Sequence, residues 1–404
     1  MASRKLLVVN LYYPPDLAST GHYAADICAS LAQRGVIVHV VAGEPSYTLS
    51  APSAPIYEFR DGVHVHRIPL GGARGRERMS TRLLAYVRFL WGAWHRSAEI
   101  VAREHPDLLL TFHNPPLVGL IGAFIARRHR LRYTFVFYDI HPDVLVATGW
   151  IRLPGPIVWL WRRLNRWTAS GAQFVVVIGE GMKRTLIERH GVPAEKVVVI
   201  PLWGRPELTP VQGRQEVRRE LGVGEREILL LYSGNMGIMH PLERILDAAE
   251  ALRDAPLRFL FIGDGAKRAA LRARVDAQRL ERVSFLPFQE ERRFVDILAA
   301  SDACFVALEE GLEELAVPSR AFTILSAGRA LIALMAPEAD IARLARDGRC
   351  GWNATNAGEL KHILEEVIRT PQELQECGRR GRELYDQRFK RDRVVEEYVR
   401  VVLG

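Results

Sequence analysis

Short uninterrupted apolar runs alternate with helical stretches along almost the whole chain, and this alternation limits the possible folds more than any other feature. Valine, isoleucine and leucine runs without polar interruptions are typical of strands buried on both faces, as in parallel sheets covered by helices. The sequence therefore predicts doubly wound α/β domains. The predicted strands are 6–9, 36–41, 108–112, 133–138, 174–178, 197–200, 228–232, 257–262, 283–286, 303–307 and 331–334.

A proline-rich segment, 201–210, interrupts the alternation once and divides the chain. We predict a first Rossmann-like domain over 1–205, a second over 206–385, and a C-terminal helix, 386–404, that packs back across the linker. Two such domains would face each other across a cleft, because ligands of α/β proteins bind beyond the carboxyl ends of the strands.

The composition, 48% hydrophobic and 25% charged, is that of a globular protein. The longest uncharged apolar stretch, 115–126, is shorter than the roughly 18–20 residues that cross a membrane, and the first residues lack a leader pattern. Cys28, Cys304, Cys350 and Cys377 are scattered, which argues against a disulfide framework or a zinc motif. We expect a cytoplasmic chain with structural cysteines.

The two halves of the chain differ in charge. Residues 1–205 hold 25 Lys and Arg against 14 Asp and Glu, a net charge of +11, whereas residues 206–404 hold 30 against 33, a net charge of −3. Six of the eight tryptophans lie between Trp91 and Trp167. Such a half is expected to meet an anionic surface, either lipid headgroups or nucleic acid. No nucleic-acid recognition module accompanies these charges, so lipid is favoured.

Two predicted helices, 79–105 and 156–167, combine tryptophan with arginine. This combination suits the headgroup boundary of a membrane, and both stretches are too short or too charged to span it. We therefore predict peripheral contact with an anionic membrane surface, with packing between domains as the alternative. The candidate contact residues are Trp91, Trp94, Trp159, Trp161, Arg162, Arg163 and Trp167.

The loop after the first predicted strand, 10–21, lacks the G-x-G-x-x-G pattern of dinucleotide-binding folds, and no Walker A motif is present. The one G-x-G, at 263–265, is a weak signal for which a tight turn is the alternative. Residues 232–237, Tyr-Ser-Gly-Asn-Met-Gly, follow another predicted strand. Glycines there either let the backbone approach a ligand or only close the turn.

A predicted helix begins at Pro318 and Ser319 and ends at Gly328. A helix N-terminus at the carboxyl end of a strand favours phosphate binding. Arg320 lies in the first turn, where the helix dipole disfavours a cation. Binding of an anionic ligand would explain why an arginine occupies this position. A solvated surface arginine is the alternative.

These motifs occur in the order seen in one family. The Tyr-Tyr-Pro-Pro loop with its Ser-Thr-Gly at 19–21, the turn at 233–237, the Gly-Asp-Gly at 263–265 and the helix at 318–328 together resemble family 4 glycosyltransferases. The resemblance covers essentially the whole chain and is to the branch that builds bacterial O-antigens and exopolysaccharides. It implies a GT-B fold, a nucleotide-diphosphate sugar bound by the C-terminal domain, and an acceptor bound by the N-terminal domain.

The resemblance also implies roles for individual residues. Asp139 and His141 would meet the transferred sugar, Arg320 would hold the donor diphosphate, and Phe288 would meet the base. The candidate catalytic residues are Asp139, His141, Glu314 and Arg320. The candidate donor-binding residues are Gly21, Gly234, Asn235, Gly237, Gly263, Asp264, Phe288, Glu313, Pro318, Ser319 and Thr323.

The chain departs from the family pattern in two places. The family's two glutamates, eight residues apart, fall at Leu315 and Thr323. Glu313 and Glu314 are candidates to replace the first, whereas Thr323 offers only a weaker contact to the ribose hydroxyls. The usual Arg/Lys pair after the first strand of the second domain is also missing, and the loop there offers His240 instead.

The resemblance implies a retaining glycosyltransferase that uses a nucleotide-diphosphate sugar and needs no metal ion or cofactor. We expect a UDP-sugar as donor, a polyprenyl-diphosphate-linked saccharide as acceptor, and association with the inner face of the cytoplasmic membrane. A sugar-nucleotide epimerase of the same architecture and a catalytically inactive scaffold subunit are the alternatives.

Overall fold

The computed structural model describes residues 3–16, 18–46, 53–71, 79–149, 154–204 and 212–404. It divides the chain into two compact units. Unit 1 comprises 1–146, 151–200 and 395–404, and unit 2 comprises 147–150 and 201–394. The predicted boundary between 205 and 206 lies outside the described residues.

Unit 1 is built on a sheet with helices on both faces. Its strands are β1 (Lys5–Val9), β2 (Ile37–Gly43), β3 (Tyr57–Arg60), β4 (Val63–Ile68), β5 (Leu108–Phe112), β6 (Arg132–Phe137), β7 (Phe174–Val177) and β8 (Val197–Val199). Its helices are α1 (Ser19–Gln33), α2 (Met79–Glu104), α3 (Val118–His129), α4 (Asp143–Ala147), α5 (Gly155–Gly171) and α6 (Glu180–Glu188).

The strand order of this sheet is β3-β4-β2-β1-β5-β6-β7-β8, and its pairs are parallel except for β3 with β4. From β1 the chain adds β2 and then the hairpin of β3 and β4, with β3 at the edge, and it returns to the other side of β1 as β5. The switch point between β1 and β5 is where doubly wound sheets open a ligand site at their carboxyl edge. The loops after β1, β5 and β6 meet at this edge.

Unit 2 contains a second parallel sheet. Its strands are β9 (Ile228–Ser233), β10 (Leu257–Ile262), β11 (Val283–Leu286), β12 (Ala303–Ala307), β13 (Ala330–Leu334) and β14 (Gly351–Ala354). The helices that follow in the chain are α7 (Arg214–Glu220), α8 (Glu243–Ala251), α9 (Arg268–Gln278), α10 (Glu291–Ala300), α11 (Arg320–Ser326), α12 (Asp340–Asp347), α13 (Ala357–Arg369), α14 (Gln372–Arg388) and α15 (Arg391–Leu403).

The order of the second sheet is β11-β10-β9-β12-β13-β14, the doubly wound arrangement. Its switch point lies between β9 and β12, which pair in parallel with Phe305 opposite Tyr232. The core of unit 2 is formed by apolar side chains from the strands and from α8, α9 and α13. Ligand-binding groups are therefore expected in the loops after β9, β10 and β12.

Each strand predicted from the sequence is present, with ends that differ by at most two residues. The sequence analysis missed β3, β4 and β14. In β4, buried valines alternate with half-buried histidines, and β3 is a largely exposed edge strand. Neither has the continuous apolar run that marks the central strands.

The residues after 385 comprise the end of α14, up to Arg388, and α15 (Arg391–Leu403). Residues 395–404 belong to unit 1 and the residues before them to unit 2, so the division between the units falls within α15. Within the described residues, no helix is long and apolar enough to cross a membrane.

Candidate functional site

The site in unit 2 is centred on Arg320, the first residue of α11. Its guanidinium donates a hydrogen bond of 2.9 Å to the hydroxyl of Tyr232 and lies over that ring, 5.0 Å from its centre. Tyr232 belongs to β9 and Gly234 follows directly, so the guanidinium lies at the carboxyl end of β9, at the switch point.

Arg320 is half-buried, and its polar partner within the described part of the chain is the Tyr232 hydroxyl rather than a carboxylate. A cation that is partly removed from water and has no ion-pair partner is suited to bind an anion. The Tyr232 hydroxyl donates in turn to the carbonyl of Asn235 at 2.7 Å, which fixes the loop after β9.

The glycines of this site allow loops and side chains to pack closely. A Cβ on Gly234, whose φ is +126°, would lie 2.1 Å from a guanidinium nitrogen of Arg320. A Cβ on Gly263 would lie 2.0 Å from the carbonyl oxygen of Gly234, and one on Gly265 would lie 2.5 Å from Oδ1 of Asn235. Because these positions have no room for a side chain, the loops after β9 and β10 pack backbone to backbone beside Arg320.

An ion network lies next to these loops. Lys267 donates to the carbonyl of His240 at 2.8 Å and to Glu243 at 3.0 Å, and its Nζ is 3.5 Å from Glu309. Glu309 is also 3.5 Å from Arg244. The network ties together the loops that follow β9, β10 and β12, and the carboxylates neutralise Lys267.

His240 is neutral in this site. Its Nδ1 donates to the carbonyl of Ala307 at 2.7 Å, so its Nε2 carries the lone pair. Burial, with the nearby charge of Arg320 as a further cause, lowers the pKa of His240 to about 3. His240 therefore offers a hydrogen-bond acceptor where the family pattern has a cation.

The helix at Arg320 is shorter than predicted. It spans Arg320–Ser326, and Ser319 precedes it in helical conformation without a side-chain capping bond. A seven-residue helix is a weak source of N-terminal field, so the side chain of Arg320 is the main attraction for an anion.

The other predicted donor-binding residues lie around this edge of the sheet. Phe288, after β11, is 58% exposed and presents an aromatic ring. Asp264 is exposed, and its carboxylate accepts from the amide of Gly265 at 2.8 Å, a local turn bond. Half-buried positions are occupied by Glu313, Glu314, Pro318, Ser319 and Thr323, and Gly237 lies under the side chain of Asn235.

Unit 1 holds a second polar cluster, at the carboxyl ends of β5 and β6. Nε2 of His113 is 3.1 Å from Oδ2 of Asp139, and the rings of His113 and His141 are 6.2 Å apart. Burial opposes the charge on Asp139, but the hydrogen bond from His113 and the nearby histidines hold its pKa below the ordinary value. Burial lowers the pKa of His141 to about 4, so it is neutral near pH 7.

Ligand atoms of His113, Asp139 and His141 lie within 4.8 Å of one another, which is the spacing of a metal site. However, Nδ1 of His113 accepts the backbone N–H of Tyr138 at 3.2 Å. In a neutral imidazole the proton is then on Nε2, which cannot also bind a metal ion. The hydrogen bonds suit an oriented carboxylate better than a metal centre.

A buried ion cluster supports the loop that carries Asp139 and His141. The side chain of Asp143 is 3% exposed, and it accepts from Nε2 of His190 at 2.7 Å and from Arg162. Burial raises the pKa of this carboxyl, but the bonds from His190 and Arg162 outweigh that effect and lower it overall. Asn165 donates to the carbonyl of His141 at 2.6 Å.

Gly21, in the first turn of α1, is also a packing position. A Cβ there would lie 3.1–3.2 Å from atoms of Tyr12 and Tyr13. The glycine therefore lets α1 lie close against the loop that follows β1.

The predicted membrane residues separate into two groups. Trp91, Trp159 and Trp167 are 69%, 60% and 41% exposed. Trp94 is half-buried with its ring 4.9 Å from that of Phe124, and Trp161 is half-buried 6.3 Å from the ring of His141. The first three tryptophans are therefore available to a surface, whereas the other two pack within unit 1.

The two predicted arginines also differ. Arg163 is exposed and lies over the Trp159 ring at 5.2 Å. Arg162 is half-buried, and its guanidinium pairs with the buried Asp143.

Nine of the exposed apolar side chains of unit 1 lie on three helices that are neighbours, because α3 packs against both α2 and α5. We call this set the apolar face. It consists of Leu83, Leu84, Val87, Trp91, Phe124, Ile157, Trp159, Leu160 and Trp167.

Comparison with known families assigns both units. A model described as "Glycosyl transferase 4-like domain" matches residues 20–203, and one described as "Glycosyl transferases group 1" matches residues 227–370. The chain belongs to the glycosyltransferases, with a family 4-like domain in its N-terminal half and a group 1 domain in its C-terminal half. This confirms the resemblance found in the sequence.

Two curated relatives of this glycosyltransferase match over most of their length. A protein named "Probable glycosyltransferase WbjE" from Pseudomonas aeruginosa is 27% identical over 90% of this chain and 89% of its own. The "Putative colanic acid biosynthesis glycosyl transferase WcaI" from Escherichia coli K12 is 27% identical over 80% and 81%.

Solved structures share the fold. Sucrose-phosphate synthase from Thermosynechococcus elongatus matches with a TM-score of 0.77 at 16% identity, over 98% of each chain. HepE from Anabaena, in complex with UDP-glucose, matches with a TM-score of 0.71 at 16% identity, also over 98% of each chain. This glycosyltransferase therefore has the two-domain GT-B fold predicted from its sequence.

The sequence analysis did not find His113, Lys267 or Tyr232 as site residues. His113 directly follows the buried strand β5, and a polar residue at the carboxyl end of such a strand was the available signal. Lys267 lies five residues after β10 and gives no comparable signal.

Proposed function

We propose that this glycosyltransferase transfers a sugar from a UDP-sugar to a lipid-linked saccharide in the biosynthesis of a bacterial surface polysaccharide. The observation that carries the donor assignment is Arg320, a half-buried cation at the switch point of unit 2 that has no carboxylate partner among the described residues. The UDP-glucose complex of HepE supports a UDP-sugar, and the names of WbjE and WcaI support the pathway.

We propose that transfer proceeds with retention at the anomeric carbon. The bond from that carbon to the diphosphate oxygen breaks with its electron pair leaving on UDP, and the acceptor oxygen forms the new bond on the same face. The acceptor proton passes to the departing phosphate oxygen, so no protein nucleophile is needed. Arg320 stabilises the charge that grows on the diphosphate, while Asp139 and His141 orient hydroxyl groups.

Nucleotide release tests this proposal directly. The purified protein is incubated with UDP-, GDP- and TDP-sugars, with and without bacterial lipid extract. We expect slow UDP release from one UDP-sugar and faster release when the extract is present. Nucleotide binding without release under either condition would favour an inactive scaffold, for which Leu315 and Thr323 at the glutamate positions are the supporting observation. Conversion of the UDP-sugar to an epimer would favour the epimerase alternative.

We further propose that the apolar face rests on an anionic membrane. Its tryptophans are bordered by arginines, among them Arg163 over Trp159 and Arg127, which lies 4.0 Å from the Trp167 ring. Exposed aromatic rings beside arginine suit the headgroup boundary. The same set of helices approaches the candidate acceptor site, because Trp161 of α5 lies beside His141.

The double variant Trp91→Ser/Trp159→Ser should bind phosphatidylglycerol vesicles about tenfold more weakly, because two large exposed rings no longer enter the interface. Co-sedimentation with the vesicles measures the effect. Phe59→Ser, at an equally exposed aromatic position on β3, is the matched control and should bind as the wild type does. Unchanged partitioning of the double variant would move the membrane contact elsewhere.

We also propose that transfer needs no metal ion, as the hydrogen bonding of His113 suggests. UDP release should continue at the same rate when excess EDTA is added. Inhibition that is reversed by Mg²⁺ or Mn²⁺ would contradict the proposal, and inhibition that added metal does not reverse would point to an effect of EDTA itself.

A further inference from the structure

The ring of His113 makes two hydrogen bonds, one as an acceptor and one as a donor. The backbone N–H of Tyr138 donates to its Nδ1 at 3.2 Å, and its Nε2 lies 3.1 Å from Oδ2 of Asp139. His113 is 4% exposed. Its ring lies at the carboxyl ends of two adjacent parallel strands, since His113 follows β5 and Tyr138 follows β6. The ring of His113 is therefore shielded from water.

The two bonds together fix the protonation of the ring. An Nδ1 that accepts a hydrogen bond carries a lone pair, so the proton of the neutral imidazole is on Nε2. A doubly protonated ring would bring its Nδ1 proton against the N–H of Tyr138 and lose that bond. His113 is therefore a neutral donor to Asp139.

We propose that His113 is a positioning residue that holds the Asp139 carboxylate ionised and oriented, with Oδ1 presented to a substrate hydroxyl. This rests on the proposed function, in which Asp139 meets the transferred sugar or the acceptor. The side chain of Asp139 is 38% exposed, and in the described part of the chain its hydrogen-bond partner is His113 through Oδ2. Oδ1 is thus available to a ligand.

The charged and titratable groups around Asp139 and His141 are consistent with this role. His113 and His141 both favour the ionised form of Asp139. Arg82, at the start of α2, and Asp143 act on His141 in opposite directions. The hydrogen bond between Nε2 of His113 and Oδ2 of Asp139 adds to this effect, because it stabilises the ionised carboxylate directly.

Two substitutions separate the bonds of His113. In His113→Asn, the amide oxygen can accept from Tyr138 as Nδ1 does, but the shorter side chain does not reach Asp139. In His113→Gln, the amide nitrogen reaches the position of Nε2 and can donate to Asp139, but the bond from Tyr138 is lost. The first variant therefore keeps the loop bond, and the second keeps the bond to the carboxylate.

We expect the two variants to rank oppositely in activity and stability. His113→Asn should lower kcat/KM for UDP release by about 10- to 100-fold, the size expected for one hydrogen bond to a charged group. Its acid limb should move to higher pH, because Asp139 loses a bond that lowers its pKa. His113→Gln should retain more activity and the wild-type acid limb but melt at a lower temperature, because it buries an unpaired N–H.

A spectroscopic measurement tests the same idea without turnover. In ¹⁵N-histidine-labelled protein, the ring nitrogens of His113, assigned by their loss in His113→Gln, should show Nε2 protonated and Nδ1 unprotonated at neutral pH. The opposite tautomer or an imidazolium would overturn the inference. Equal activity and equal acid limbs in the two variants would overturn it as well. If no UDP-sugar is turned over, the tautomer still decides the inference, while the proposed function fails separately.

Discussion

Replacing Arg320 by alanine should lower the rate of UDP release by about 10²- to 10³-fold, the size seen when one group that stabilises developing charge is removed. The affinity for UDP should fall as well, because the diphosphate loses a charge-assisted bond. Initial rates of release and calorimetric titration with UDP measure the two effects. Arg320→Lys should lie between the wild type and alanine, since lysine keeps the charge but not the planar fork.

The fold should survive this substitution. The Tyr232 hydroxyl that Arg320 contacts still donates to the carbonyl of Asn235, so it is not left without a partner. We expect a loss of stability below about 1 kcal/mol, as for other partly exposed contacts. Arg388→Ala is the matched control, because Arg388 also lies over an aromatic ring of unit 2, Phe389, at 5.4 Å. Wild-type rates and UDP affinity in Arg320→Ala would refute the diphosphate assignment.

Replacing Asp143 by alanine should destabilise the protein by about 1–3 kcal/mol, because it leaves the buried ring of His190 without its acceptor, whereas the partly exposed Arg162 regains water. For a unit of this size that corresponds to a fall in Tm of roughly 2–12 °C. Turnover should also fall, because Asp143 follows the loop that carries Asp139 and His141. Thermal melting of the purified variant measures the stability effect.

Glu99→Gln provides the comparison. Glu99 pairs with Arg96 and Arg103 on the surface of α2 and is 35% exposed, so its loss should cost less than about 1 kcal/mol. Similar melting temperatures for Asp143→Ala and Glu99→Gln would mean that the buried cluster contributes little.

The pH dependence of this cluster has a definite sign. The folded-state pKa of Asp143 lies below its ordinary value, so its contribution to stability is present near neutral pH and is lost as the pH falls through that pKa. Asp143→Ala should therefore lose less stability than the wild type on acidification.

The central strands were predictable because strands buried on both faces need continuous apolar residues. That signal located β1 and β9, and with them the two sheets, to within two residues. It failed for β3 and β4, since a two-stranded edge with alternating Val and His has neither the apolar run nor full burial. Whether a hairpin forms at a sheet edge depends on the strand that it pairs with, which here is β2.

Arg320 was a candidate from the sequence because a cation at the start of a helix is locally unfavourable, and a local conflict of this kind points to a ligand. His113 and Lys267 give no such conflict. Their importance comes from distant partners: His113 lies 26 positions from Asp139, and Lys267 joins the loops after β9 and β12. The positions of these residues along the chain do not predict such contacts.

The sequence by itself determined the fold class, the division into two parallel-sheet units and the family, and it made Arg320 a candidate to bind an anion, because each depends on a local pattern of burial, turn or charge. Only the tertiary structure decided which tryptophans are exposed, that Arg162 pairs with the buried Asp143, and which nitrogen of His113 carries the proton. Those properties depend on what a side chain meets across the sheet edge, and that is set by how strands and helices pack rather than by their order in the chain.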